Sequence, residues 1–378
     1  MTFVRTQYPH LNPLPKREGT KLPSPRGEET PQPKLQTMLR SLLFVPVVLF
    51  AFTLSTAAEP FRFDQQAESK TLSLVEGETP IFSYVYDMIV HDHVPKNDFR
   101  RTAGCYIHPL YGLNGEILTD NAPEDHYHHR GVFWTWPYVG LHQPYDKIVH
   151  HDLWASDTAL KQRFVRWLER ETTEESATFA VENGWFFGHA AGFPITENDE
   201  KIMKEIVRIT VFRPKTDNGL RTRAIDFDFV WTPTEKPISL RGNAERSYGG
   251  LTVRFRPFVE PGKTLAEPNA INVITVPSGP TTGDLSNTPL PWADYTSRFG
   301  DGDKRSGAAI FIPKTHPDYP PSWLTRYYGP LCVGWPGVEE RTFQPGEEIK
   351  LNYRIWIHDG PVTVEQIERA YEEYNSGK

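Results

Sequence analysis

Three histidines within four positions are the strongest chemical signal in this sequence. His126, His128 and His129 stand beside Asp125 and Arg130 in the run DHYHHRG. Histidine exchanges its proton near neutral pH, and it is also the commonest metal ligand. In an extended backbone, the first two rings would lie on one face and the third on the other. The spacing is therefore typical of a site that transfers protons or binds a metal.

The residue types leave three interpretations of this cluster open. As a metal site, His126 and His128 would bind zinc, iron or copper, with Asp125 or a distant histidine completing a divalent-metal site. As an acid–base site, the histidines would transfer protons, Asp125 would orient one imidazole, and Arg130 would bind a substrate oxygen. As a structural cluster, the imidazoles would only hydrogen-bond to loop carbonyls. We predict acid–base chemistry, with the catalytic residues His126, His128, His129, Asp125 and Arg130.

Aromatic residues on both sides of the cluster are suited to a polar ring. His108 precedes it, and Trp134 and Trp136 follow it in the β-prone run Gly-Val-Phe-Trp-Thr-Trp. Aromatic faces pack well against the C–H surface of a sugar. We therefore predict that these three side chains line a substrate pocket, with Trp323 as a further stacking candidate. The acidic residues show no paired spacing typical of a two-carboxylate glycosidase, and the sequence has no GxSxG, HExxH, P-loop or dinucleotide motif.

Alternation of apolar and polar residues predicts strands over most of the chain after residue 60. The clearest cases are 220–231, where Arg223, Ile225, Phe227, Phe229 and Trp231 share one face, and 349–357, where every second residue is large and apolar. Such alternation is the mark of a half-buried strand. One helix is predicted at 363–374, with Thr363 and Gln366 forming a capping box. Many strands without interleaved helices predict an all-β fold, a large antiparallel β-sandwich with a short C-terminal helix.

The first 58 residues differ in composition from the remainder. The opening segment is rich in proline and poor in large apolar residues, which predicts disorder, or a start assigned too early. A new start at Met38 is followed by an apolar run and small residues, the layout of a signal peptide. We predict export to the periplasm or medium, with cleavage near Ala57 or Ala58, or an uncleaved anchor as the alternative. The predicted organisation is a leader at 1–37, a signal peptide at 38–58 and a single β-sandwich domain at 59–378.

Charge and cysteine content exclude some classes of protein. The net charge is −7 with no basic stripe, which argues against nucleic acid as a partner. Only two cysteines are present, Cys105 and Cys332, so the chain is no disulfide-stapled scaffold. Their spacing leaves open whether they pair. The expected partner is a small molecule or a glycan, and membrane contact is expected only through the export signal or anchor.

Several segments of the sequence resemble a known family. They are HPLYGLNGEILTDNAPEDHYHHRGVFWTW (108–136), SYGGLTVRF (247–255), WADYTSRFG (292–300), GAAIFIPKTHPDYPPSWLTRYYGP (307–330) and YRIWIHDG (353–360). Together they resemble the PmoA-like bacterial family common in planctomycetes, which is catalogued as methane oxygenase and has a domain of unknown function. The resemblance spans most of the chain after residue 58.

The resemblance carries implications for fold and function. The family's β-rich character is similar to the galactose-mutarotase-like supersandwich, which places histidines on a concave face. This implies an exported protein that acts on a carbohydrate. The family label implies a metal-dependent oxidoreductase instead, and a non-catalytic glycan-binding module is a third alternative. The matched segments also contain Arg254, His316 and Trp323, which we assign to substrate binding. Cofactor use stays unassigned apart from the divalent metal considered above.

Overall fold

Alternating side chains build the long strands of this protein. In the computed structural model, burial alternates residue by residue from Arg223 to Pro233. Because the side-chain period of a strand is two, one face of this segment packs on a core, as the sequence predicts. The structure describes residues 60–155, 159–188, 196, 199–259, 271–299 and 304–377.

The described residues form strands, one short 3₁₀ helix and one α-helix. The first strands are β1 (Phe61–Gln66), β2 (Thr71–Glu76), β3 (Thr79–Val85), β4 (Ile89–Val90), β5 (Thr102–Ala103), β6 (Tyr106–Leu110), β7 (Val132–Thr135), β8 (Tyr138–Gln143), β9 (Lys147–His151), β10 (Leu160–Thr172), β11 (Ser176–Phe187) and β12 (Glu200–Phe212). The later ones are β13 (Lys215–Asp217), β14 (Leu220–Pro233), β15 (Ile238–Arg241), β16 (Gly250–Arg254), β17 (Val273–Val276), β18 (Gly279–Pro280), β19 (Leu285–Pro289), β20 (Trp292–Ser297), β21 (Ser306–Phe311), β22 (Ser322–Thr325), β23 (Pro330–Gly334), β24 (Arg341–Phe343) and β25 (Ile349–His358). The 3₁₀ helix is Phe99–Arg101 and the α-helix, α1, is Val364–Asn375.

Two large sheets dominate the fold. The first has nine strands in the order β1-β2-β3-β6-β7-β16-β23-β22-β19. The second has ten, in the order β10-β11-β12-β14-β25-β21-β20-β17-β18 with β13 paired to β14. Smaller sheets join β24-β15-β8-β9 and β4-β5, and the strand pairs of the described residues are antiparallel. Strands make up 54% of the structure, and the predicted all-β fold is confirmed.

The inner faces of the two large sheets share one hydrophobic core. Tyr84 of β3 packs on Phe179 of β11 with ring centroids 5.3 Å apart. Trp134 of β7 meets Phe229 of β14 at 5.0 Å. All four side chains are at most 1% exposed. The two sheets therefore pack face to face as a sandwich.

A single carboxylate is enclosed within this core. Glu205 of β12 is completely buried and accepts hydrogen bonds at 2.8–3.0 Å from side-chain N–H groups. The donors are the indoles of Trp134, Trp185 and Trp231 and the amides of Gln162 and Asn183. A buried charge is tolerated only when its acceptor sites are satisfied, and these five neutral donors satisfy them.

The outer face of the nine-stranded sheet is also covered. Across four neighbouring strands, Phe133, Thr252, Cys332 and Leu324 stand directly opposite one another, and all are buried. Arg254 lies two residues beyond Thr252 and so points from the same face. Connecting loops cover this row of side chains. The predicted histidine cluster belongs to one of these loops, so the sheet supplies the rigid floor beneath it.

The C-terminal helix packs on the outside of the ten-stranded sheet. Thr363 caps α1, accepting from the Gln366 backbone N–H, while the Gln366 side chain accepts from the Thr363 backbone N–H. The buried residues Ile367 and Tyr371 contact Trp356 of β25. Trp356, expected on a solvent-facing position of its strand, is therefore only 8% exposed. The predicted helix and its capping box are confirmed.

Some predictions fall outside the described residues or need correction. The leader, the signal peptide and its cleavage site lie in 1–59, which the structure does not describe. The described residues belong to one compact unit, Ala57–Lys378, and a single domain stays a prediction. The β-prone run that begins at Gly131 does not continue into β8, because Pro137, between β7 and β8, has no N–H to continue a ladder. The helices within the described ranges are too short or too polar to traverse a bilayer.

Candidate functional site

The loop between β6 and β7 positions the predicted histidines. Its two ends are tied together, since the Gly131 N–H donates to the Asp120 carbonyl at 2.7 Å and the Ala122 N–H to the His129 carbonyl at 2.8 Å. The end of β16 holds both. Arg254 donates its backbone N–H to the Gly131 carbonyl and accepts from the Asp120 N–H, at 2.7 and 2.9 Å. A loop closed on a strand in this way can hold side chains in fixed positions.

Gly131 is required for that closure. Its φ is +47°, and a Cβ atom at this position would lie 1.9 Å from the carbonyl oxygen of Ile107. No side chain fits, because the strand backbone cannot move away. The glycine in the DHYHHRG run therefore lets the loop return tightly onto β6.

The three imidazoles form one compact group. The segment that carries them makes turns, so the rings do not divide between two faces as they would in a strand. His126 and His129 stack with centroids 4.6 Å apart and planes 3° apart. His128 meets His129 edge-on at 4.6 Å. Tyr328 lies parallel to His126 at 5.0 Å and adds an aromatic surface that the sequence pattern does not signal.

A carboxylate and a buried arginine organise this group. The Asp125 Oδ2 atom is 3.0 Å from His126 Nδ1, but the angle of the contact is not that of a hydrogen bond. Arg254, 1% exposed, donates from Nη2 to both oxygens of Asp125 at 3.0 and 2.9 Å. Its Nη1 lies 3.4 Å from His129 Nδ1. Because a guanidinium can only donate, His129 accepts at Nδ1 and carries its proton on Nε2.

Burial and the nearby cations set the charge states. Burial, then the neighbouring histidine and arginine charges, lowers the pKa of His128 to about 3 and that of His129 well below its usual value. For Asp125, burial alone would raise the pKa, but His126 and Arg254 outweigh it and bring it to about 2. At neutral pH, His128 and His129 are therefore neutral and Asp125 is ionised.

The cluster opens into a cavity of about 170 Å³, here called the histidine cavity. Its walls include the three histidines and five further side chains, Trp154, Arg246, Tyr248, Arg326 and Tyr328. Sites for drug-sized ligands start at about 300 Å³, so this cavity suits one small ring or the end group of a longer chain. The sequence pattern signals none of these five further residues, which lie far from the cluster in the chain.

A larger groove of about 460 Å³ runs along the C-terminal helix. Two of its charges are already paired, because Arg354 binds Asp226 through Nε and Nη2 at 2.6 and 2.8 Å. The residues that line it include no histidine or cysteine. Despite its larger volume, the groove therefore lacks these reactive residue types, and the histidine cavity is the better candidate site.

Arg130 lies behind the cavity rather than in it. The side chain is 4% exposed, and Nη2 donates to the carbonyls of Leu153 and Trp154 at 3.4 and 3.1 Å. The guanidinium also packs on the Phe133 ring at 5.5 Å. The predicted role in binding a substrate oxygen is corrected accordingly: Arg130 holds the backbone of Trp154, a wall residue, and does not reach the cavity.

The tryptophans predicted to bind substrate lie in the core. Trp134, Trp136 and Trp323 are fully buried, and none lines the histidine cavity. The Trp134 indole donates to Glu205, and the other two donate to backbone carbonyls. Their placement follows from strand periodicity, because Trp134 shares the core-facing parity of its strand while Phe133 takes the outer face. They are therefore packing residues, which corrects the predicted stacking role.

The two other predicted histidines also lie away from the cavity. His108 Nδ1 is 3.1 Å from the Thr119 hydroxyl, and burial, aided by Arg256, lowers the pKa of His108 to about 4. His316 packs on Tyr353 and is 5% exposed, and burial lowers its pKa to about 4 as well. Of the predicted substrate-binding residues, only Arg254 touches the histidine group, and it does so from behind.

A metal site requires several donor atoms that converge on one point. Among the described residues, no three His, Cys, Asp or Glu side chains are arranged to hold a metal ion. The His126 and His129 rings stack face to face, a packing in which their nitrogens do not converge on one point. Cys105 and Cys332 are both buried and unpaired with each other, and burial raises the pKa of each thiol.

Comparison with known families gives a clear result. Residues 71–372 match the model of a family described as "Family of unknown function (DUF6807)". The chain belongs to this family. The resemblance to a PmoA-like methane oxygenase family was therefore wrong, since the family that matches has no assigned function. No curated protein matches the sequence.

One solved structure shows a weak likeness to the chain. It is the crystal structure of a variant of GH36 alpha-galactosidase AgaA from Geobacillus stearothermophilus in complex with raffinose. The sequences are 11% identical with a TM-score of 0.30, and the match covers 80% of this chain and 41% of the other. The chain thus spans less than half of that protein, and a likeness at this level supports no inference about function.

Proposed function

We propose that this member of the DUF6807 family acts on a carbohydrate or sugar derivative by histidine acid–base chemistry in the histidine cavity. The observation that carries the proposal is the arrangement of Asp125 between His126 and Arg254. The carboxylate faces Nδ1 of His126, whose side chain is 34% exposed and lines the cavity, so Nε2 is the ring nitrogen left for a ligand. His126 is thus the ring that exchanges a proton with substrate, and Arg254 is a positioning residue for Asp125.

The other cavity side chains support a small polar ring as the ligand. At neutral pH, His128 and His129 are neutral, so they do not act as acids toward the substrate. They instead offer hydrogen bonds to its hydroxyl groups. Tyr248 and Tyr328, both half-buried, present aromatic surface next to them. An aromatic wall combined with hydrogen-bonding groups suits a sugar, which has both C–H faces and hydroxyls.

The test is a turnover screen of the full chain against oligosaccharides and sugar derivatives. We expect His126→Asn to lower turnover of the active substrate by about 100- to 10,000-fold without loss of folding. The matched control is His150→Asn, a half-exposed histidine of β9 outside the cavity. Wild-type binding of glycans without any turnover would replace this proposal with a non-catalytic glycan-binding module. Turnover equal in both variants would also overturn it.

Export of the chain to the periplasm or medium is a second proposal, supported by the sequence of 38–58. Mass spectrometry of protein from the native host should find an N-terminus near Ala58 or Glu59. A chain that keeps residues 1–37 inside the cell would contradict it.

A further inference from the structure

We infer that the ligand of the histidine cavity is a sugar acid, whose carboxylate binds at Arg246 and Arg326. The sugar in this inference rests on the proposed function, whereas the negative charge follows from the cavity walls. Among the described residues around the cavity, positive and negative side-chain charges do not balance.

The carboxylate nearest the histidines is already neutralised. Both oxygens of Asp125 accept from Arg254, and one also faces His126. Asp125 therefore leaves no net negative charge to balance the arginines of the cavity wall. Arg254 is offset by Asp125 in turn, so the two wall arginines, Arg246 and Arg326, carry the positive charge of a cavity in a protein with a net charge of −7.

Arg246 supplies the unbalanced charge. Its side chain is exposed on the cavity wall, and no carboxylate of the described residues lies within ion-pair distance of it. Its backbone is nevertheless fixed. The Asn243 side-chain oxygen accepts from the N–H groups of Glu245 and Arg246 at 3.1 and 3.0 Å, and the Ser247 N–H donates to the Asn243 carbonyl at 2.8 Å. A loop fixed in this way presents a guanidinium that has no hydrogen-bond or ion-pair partner among the described residues.

Arg326, unlike Arg246, is held in place by hydrogen bonds of its own side chain. Its Nη1 donates to the carbonyls of Leu285 and Thr325 at 2.8 and 2.9 Å, and its Nη2 donates to the Ser286 hydroxyl at 2.9 Å. Asp284 balances part of its charge from 3.6 Å. These contacts use three of the four terminal N–H donors, which leaves one for a ligand. Arg326 therefore fixes the direction of an incoming anion, and Arg246 supplies most of the attraction.

The planar carboxylate is the anion that this pair suits best. Arg246 can bind a carboxylate through two parallel N–H donors, Arg326 can add its one remaining donor, and the small cavity accepts a sugar ring beside the aromatic wall. A larger sulfate ester offers the same charge with tetrahedral geometry, so the experiment compares the two.

The experiment is calorimetric titration of the full chain with three trisaccharides: trigalacturonate, neutral galactotriose and a sulfated galactotriose. We expect trigalacturonate to bind tightest, and its affinity to fall with added salt. Arg246→Gln should weaken that binding by about 10- to 100-fold, as the loss of a charged hydrogen bond does, and Arg246→Lys by less. The matched control is Arg62→Gln on β1, an exposed arginine at the far end of the same sheet.

The outcomes separate this inference from the proposed function. Equal affinity for the neutral and acidic sugars, or equal loss in Arg246→Gln and Arg62→Gln, would overturn the anionic ligand. Tighter binding of the sulfated sugar would overturn the carboxylate. If His126→Asn abolishes turnover of a neutral sugar, the proposed function stands and this inference fails. If trigalacturonate binds through Arg246 but is never turned over, the anion site stands and the catalytic proposal fails.

Discussion

Nη2 of Arg254 lies 3.0 Å from Oδ1 and 2.9 Å from Oδ2 of Asp125, although 129 positions separate the two residues in the chain. The backbone of Arg254 also binds both ends of the loop, at Asp120 and Gly131. One residue at the end of β16 therefore fixes the loop and the carboxylate that faces His126. The histidine group depends on the nine-stranded sheet through this residue.

Replacement of Arg254 should weaken both the fold and the site. Arg254→Met leaves Asp125 without its cation, and we expect a loss of about 2–3 kcal/mol in the free energy of unfolding, below the usual cost for a fully buried pair because Asp125 is partly exposed. Urea denaturation measures it. The control Arg256→Met, at an exposed position two residues on, should cost less than about 0.5 kcal/mol. Equal midpoints for the two variants would show that the Arg254 contact contributes nothing.

Stability should fall in mildly acidic solution because several histidines are buried in the neutral form. The folded-state pKa is about 4 for His91 and His108 and about 3 for His128, chiefly through burial, against 6.5 in the unfolded chain. Below about pH 6.5, the unfolded chain therefore binds protons that the folded chain does not bind. The stability present above about pH 6.5 is lost as the pH falls toward 4. Between pH 7 and pH 4, each histidine loses about 3 kcal/mol of this stability. Urea midpoints measured from pH 7 to pH 4 should decline, and His108→Gln should make the decline shallower. A constant midpoint over that range would contradict the buried neutral state.

Neutralising the enclosed carboxylate should be costly. Glu205→Gln replaces one acceptor oxygen by an N–H₂ group that faces indole and amide donors, so hydrogen bonds become donor-to-donor contacts. We expect a loss of about 2–4 kcal/mol in unfolding free energy. Thermal or urea denaturation measures it beside Glu78→Gln, the same change at an exposed position. A Glu205→Gln protein as stable as this control would show that the five donors do not depend on the charge.

The corrected role of Trp134 can be separated from a role in binding. Trp134→Phe removes the indole donor to Glu205 from the core, and we expect a stability loss of about 1–3 kcal/mol with ligand affinity unchanged. Tyr328→Ala removes the aromatic surface beside His126 and should weaken ligand binding instead. Denaturation and calorimetric titration of both variants give the comparison. Weaker binding in Trp134→Phe, with stability kept, would return this indole to the site.

Sequence periodicity predicted the fold well because it reports which side of a strand is buried. The alternation at 220–231 and the capping box at Thr363 both correspond to elements of the structure. The same rule, applied to Trp134, would have placed its indole in the core with its neighbours of equal parity. Residue type suggested a sugar-binding role for it, and the periodicity of β7 was the more reliable signal.

The site was predicted only in part because it is assembled from distant segments. The run 125–129 signals its own histidines and carboxylate, and their proximity follows from the short spacing. Nothing local to Arg246 or Tyr328 indicates that they face His126, since their approach depends on how the strands of the sheet are ordered. Stacking of His126 on His129 also depends on a turn, which the residue types of this run do not specify.

The carboxylate of Glu205 also bears on how the two sheets recognise each other. Four of its donors come from its own sheet, and Trp134 reaches it across the interface from β7. A slip of β7 by one residue would turn that indole to the opposite side of its strand. The misaligned interface would then bury the Glu205 carboxylate with one hydrogen-bond donor missing. Apolar side chains alone impose no such penalty. The correct register of β7 is thus distinguished from a one-residue slip by electrostatics as well as by shape.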